Sequence, residues 1–112
     1  MLTYISSVKY TTEGLARATQ VGFVKYRTLV EKAWESVGGK MLSCHLGNTA
    51  GEWDVVAIGE VPSRDAAFAL ANATRLSGGV ARSSIQELFT AEEADNALAG
   101  SDAKSPANLQ GS

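Results

Sequence analysis

The chain has 112 residues, is 45% hydrophobic and 20% charged, and carries a formal net charge of −2. A chain of this length forms one domain and buries about two-thirds of its unfolded surface, enough to fold without a disulfide or metal staple. The near-neutral charge offers neither the basic footprint of a nucleic-acid binder nor the Lys/Arg-rich face of a membrane-surface helix, and no apolar run approaches the ~18–20 residues of a transmembrane helix.

Residues 2–10, LTYISSVKY, are rich in β-formers and open the chain as a strand. Tyr4, Ser6, Val8 and Tyr10 share one face of it and Thr3, Ile5, Ser7 and Lys9 the other, both of mixed polarity. Thr11 or Thr12 is placed to cap a helix, with Glu13 in its first turn. Phe23, Tyr26, Leu29 or Val30, Ala33, Trp34 and Val37 then recur at helical spacing. Gly22 interrupts this pattern and predicts a kink, or a short helix followed by a longer one. Gly38 and Gly39 end the helical stretch.

A second strand is expected over 40–46, a turn over 47–51 and a third strand over 52–61. In the third strand, Trp53, Val55, Ala57 and Gly59 alternate with Asp54, Val56, Ile58 and Glu60, and the apolar centre predicts a strand covered on both sides. Ser63 is the expected cap of an alanine-rich helix that ends at Ser77-Gly78-Gly79. A fourth strand is expected over 80–90, followed by a short helix over 91–99 capped by Thr90. Residues 1–99 therefore read as the domain. Residues 100–112 read as a disordered polar tail, with Leu109 its one large apolar residue.

Cys44 is the sole cysteine, so no internal disulfide can form. The N-terminus enters strand-like sequence without the basic and apolar regions of a signal peptide, and the cytoplasm is the expected compartment.

The element order β-α-β-β-α-β is the split βαβ, or ferredoxin-like, arrangement: an α+β fold with an antiparallel sheet and both helical layers on one face. The other sheet face is then left partly apolar and open, which predicts a homodimer or higher homo-oligomer with sheets facing each other.

The chain resembles the GYD-domain family. The resemblance rests on Gly51-Glu52-Trp53-Asp54-Val55-Val56, on Tyr4, Lys9-Tyr10-Thr11, Glu13-Gly14 and Arg27, and on Gly38-Gly39-Lys40. It continues through Glu60-Val61-Pro62, Gly79-Val80-Ala81-Arg82 and Leu88-Phe89-Thr90, so that it covers residues 1–98. Trp53 stands where the family more often has Tyr, and the stretch from Gln20 to Tyr26 is longer than usual. The resemblance implies a ferredoxin-like chain that forms a dimeric α/β barrel, and it implies little about activity.

Few residues can carry chemistry. His45 is the only histidine and the natural general base, metal ligand or haem ligand; otherwise it is a half-exposed strand residue with one hydrogen bond. Cys44 and His45 alternate on a strand and point to opposite faces, so they form no Cys/His couple. Asp54 either fixes the turn by pairing with Lys9, Arg27 or Arg82, or positions a substrate in a polar pocket. His45, Asp54 and Arg27 are the candidate catalytic set. Tyr4, Lys9, Tyr10, Trp53, Arg82 and Phe89 are the candidate ligand contacts, the aromatics among them serving otherwise as core and interface. No metal-ligand spacing, nucleotide fingerprint or serine elbow is found, so no cofactor is expected.

Two functions fit. One is a small-ligand binding or sensing module, or a structural dimer. The other is a cofactor-free monooxygenase or isomerase, or a haem-binding variant, with His45, Asp54 and Arg27 around an aromatic-lined cavity.

Overall fold

The computed structural model describes residues 1–107. Its elements run β1 (Leu2–Tyr10), α1 (Thr12–Val21), α2 (Phe23–Ser36), β2 (Lys40–Leu46), β3 (Val55–Val61), α3 (Arg64–Leu76), β4 (Val80–Leu88) and α4 (Ala91–Ala99). The expected tail covers residues 100–112, of which 108–112, including Leu109, lie outside the described residues.

The long helical stretch is two helices. Gly22 adopts φ 93°, a backbone conformation that costs a side-chain-bearing residue heavily. Its N–H donates to Ala18 O at 3.0 Å, and its carbonyl accepts from Tyr26 N at 2.9 Å. One residue thus closes α1 and opens α2. The helix starts follow local chemistry. Thr11 Oγ1 accepts from the Gly14 N–H, and Ser63 Oγ accepts from the Ala66 N–H. Thr90 and Glu93 satisfy each other's backbone N–H groups in a capping box at the start of α4.

The four strands form one sheet in the order β2-β3-β1-β4, antiparallel throughout. The described residues form an α+β fold with four helices, and this corrects the expected dimeric α/β barrel. The sheet is not closed: β2 and β4 are its two edges and do not pair with each other. Two strand ends also differ from expectation. β3 starts at Val55 rather than Glu52, because Trp53 and Asp54 belong to the incoming turn, and β4 stops at Leu88 rather than Thr90, which is taken up as a helix cap.

Register puts Tyr4, Ser6 and Val8 opposite Gly59, Ala57 and Val55. This is the face the helices cover. One core cluster holds Tyr4, Trp34, Ala57, Val61, Ala67 and Leu70; a second holds Tyr10, Ala18 and Val55. Trp34, at 1% exposure, is the largest fully buried side chain and joins α2 to the sheet. The opposite face carries Ile5 beside Ile58 and Ser7 beside Val56, with Ile5, Val56 and Ile58 half-buried.

Among the described residues, no helix is long and apolar enough to cross a membrane. α4 has no buried residue and makes no substantial contact with any other element.

Candidate functional site

α2 and α3 both lie over the sheet but make no substantial contact with each other. The gap between them is a cleft of about 240 Å³. Its floor is Ser6, Val8, Val55 and Ala57; its walls include Leu29, Ala33 and Trp34 from α2 and Leu70, Ala73 and Thr74 from α3. The reason for the opening is visible in the residue types. Ser6, Ala33, Ala57 and Ala73 are too short to meet across it, whereas a close-packed core would interdigitate larger side chains. No charged residue lines the cleft.

Tyr10 and Tyr26 stand at one end, their rings edge-to-face with centroids 5.7 Å apart. The Tyr10 hydroxyl is buried without a hydrogen-bond partner. Burial pushes its pKa up strongly, and the neighbouring Tyr26 phenol adds to this, followed by Asp54 and Cys44. The phenol therefore stays protonated.

Tyr26 and Val55 also line a second cavity, of about 260 Å³, with Phe23, Val24, Arg27, Cys44, His45 and Leu46. Here the first turn of α2 meets the end of β2. Cys44 and Leu46 pair with Ala57 and Val55 and share their helix-side face, while His45, opposite Val56, belongs to the other face and is exposed. Cys44 is a free, half-buried thiol. Burial raises its pKa, and the nearby Arg27 charge pulls it partly back.

A third cluster sits where β1 leaves the sheet. Asp54 is 4% exposed. Its Oδ2 accepts from the Tyr10 N–H at 2.9 Å, and its Oδ1 lies 3.3 Å from Lys9 Nζ. Lys9 Nζ also donates to Thr49 O and Gly51 O, each at 3.0 Å. The Arg82 guanidinium lies 5.1 Å from the Trp53 ring centroid and donates to Glu52 O at 3.3 Å. These contacts tie the 47–54 turn to β1 and β4.

The candidates from sequence are therefore distributed over the molecule. His45 and Arg27 share the second cavity, but Asp54 lines neither cavity. Lys9, Trp53 and Arg82 gather around the turn that Asp54 anchors. Tyr4 lies in the core under α3; its hydroxyl donates to Glu87 Oε1, which also accepts from Arg64 Nε, both at 3.1 Å. Burial first, and the Glu87 carboxylate second, raise the Tyr4 pKa. Phe89 is 55% exposed beyond the end of β4 and lines neither cavity.

The cleft residues Ser6, Ala33 and Ala73 were not among the candidates. Their signal was present as small residues at core-facing positions, which also suits tight helix packing. Among the described residues, no group of three His, Cys, Asp or Glu could hold a metal ion.

The profile of the GYD domain family matches residues 4–98. No curated protein matches the chain.

Proposed function

Since this chain belongs to the GYD domain family, we propose that it is a small-ligand binding or sensing module, acting in the cytoplasm as a homodimer. The cleft between α2 and α3 carries the ligand part of this reading. An apolar cavity of about 150 Å³ suffices to bind benzene, and this one measures about 240 Å³. It is uncharged, walled by Trp34 and Tyr26, and supplied with hydroxyls by Ser6, Thr74 and Ser77. Such a site favours a compact, neutral, largely apolar molecule.

Trp34 reports on the cleft directly. In a Trp53→Phe background it is the remaining tryptophan, and titration with tetralin should change its fluorescence saturably. Ala73→Phe, which fills the cleft from α3, should abolish that change. A wild-type cleft that gives no saturable response to tetralin overturns the reading.

Dimerisation is supported by the half-buried Ile5, Val56 and Ile58 on the uncovered sheet face and by α4, which has no buried residue. Two-fold pairing buries such a surface on both copies at once. Sedimentation equilibrium should return twice the chain mass, and Ile58→Lys should halve it. A wild-type monomer at tens of micromolar overturns the dimer and leaves the ligand reading standing.

A further inference from the structure

The second cavity differs from the cleft in one respect that determines its chemistry: it has a cation. Arg27 lines it, one turn into α2, beside the aromatic walls of Phe23 and Tyr26 and the aliphatic Leu46. The two ion pairs among the described residues are Lys9–Asp54 and Arg64–Glu87, and neither involves Arg27. Its charge is felt inside the cavity, where it counteracts the effect of burial on the Cys44 thiol. α2 has no acidic residue in its first turn and no side-chain cap. The other titratable groups lining it are the Tyr26 phenol and, at the rim, His45.

We propose that this cavity is a binding site for a compact carboxylate with an apolar body, its ring against Phe23, Tyr26 and Leu46 and its carboxylate on the Arg27 guanidinium. A guanidinium presents paired N–H donors that match a carboxylate's two oxygens. An apolar cavity of about 150 Å³ holds benzene, so about 260 Å³ accommodates one ring with a short acidic side chain. The site adjoins the uncharged cleft, sharing Tyr26 and Val55 with it, but its cation sets it apart, and it stands whether or not the cleft binds tetralin.

Phenylacetate and phenylacetamide are matched in shape and differ in charge. Each is titrated into the ¹⁵N-labelled full chain, with amide shifts followed at Phe23, Val24, Arg27 and Leu46. Phenylacetate should bind about ten-fold more tightly than the amide. Arg27→Gln should abolish that preference and leave binding of the amide unchanged, and Arg27→Lys should restore part of it. Raising the ionic strength several-fold should weaken phenylacetate alone, a test that needs no variant. Equal affinities in the wild type, a preference that survives Arg27→Gln or high salt, shifts confined to Leu70 and Ala73 in the cleft, or no response to phenylacetate would each overturn the proposal.

Discussion

Gly59 lies beneath the ring of Trp34, so close that a Cβ on Gly59 would come within 2.7 Å of Cε3 and Cζ3. The missing side chain on β3 is what lets the indole of α2 come this close to the sheet. Gly59→Ala would also meet Lys40 O at 2.7 Å, so neither the strand nor the ring can yield cheaply. The expected loss is about 1–3 kcal/mol, the usual cost of overpacking a core. Urea unfolding checks it: the midpoint should fall with the slope unchanged.

Asp54 is expected to matter more than its ion pair suggests. Its Oδ2 satisfies the buried Tyr10 N–H, and Asp54→Ala would leave that donor without a partner. The cost should be about 2–3 kcal/mol. Asp54→Asn keeps an acceptor and should cost less than half of this. Lys9→Met should cost under about 1 kcal/mol, because the Lys9 side chain is 27% exposed. A loss for Lys9→Met equal to that for Asp54→Ala, by chemical denaturation, would show that the ion pair dominates instead.

Alkali should unfold the domain through its tyrosines. Tyr10 and Tyr4 both have pKa values raised above the ordinary 10.0, chiefly by burial. A folded-state pKa above the unfolded one means that the unfolded chain loses protons first as pH rises. The associated stability is complete below pH 10.0, the ordinary value, and is lost progressively above it. Tyr10→Phe removes a hydroxyl with no partner, so stability at neutral pH should change by less than about 1 kcal/mol or improve. Its alkaline midpoint, followed by circular dichroism, should move upward.

Thr90→Ala should separate local from global stability. It breaks the capping box with Glu93, a change of about 1 kcal/mol in helix stability. Since α4 makes no substantial contact with the other elements, the loss should appear as reduced helical Cα shifts over 91–99. The urea midpoint of the sheet should not move.

The elements were largely readable because local chemistry specifies them. Alternation predicts the strands, Thr11, Ser63 and Thr90 mark helix starts, and Gly22 marks the break that becomes a second helix. The ends of β3 and β4 were not readable, since Trp53, Asp54 and Thr90 continue the strand alternation but are claimed by long-range contacts or a cap. The barrel came from the family resemblance rather than from the residues, and four strands with two unpaired edges overturn it. The candidate site was legible residue by residue but not as a set. His45 and Arg27 meet at one cavity, yet Asp54 is drawn to Tyr10 and Lys9, separations of more than 40 positions that no local pattern encodes. The cleft was hidden for a related reason: a void is a property of facing surfaces, and an alanine looks the same in sequence whether its neighbour touches it or not.

The exposed C-terminal helix has a consequence for how the molecule moves through solution. With principal extents of 60 × 28 × 22 Å, the described residues are elongated rather than spherical, and their radius of gyration of 17.3 Å exceeds the roughly 13 Å of a compact chain of this length. Hydrodynamic drag follows shape as well as mass. A single copy should therefore run ahead of globular standards on a sizing column, and a comparison of friction with and without residues 91–112 would tell elongation apart from association.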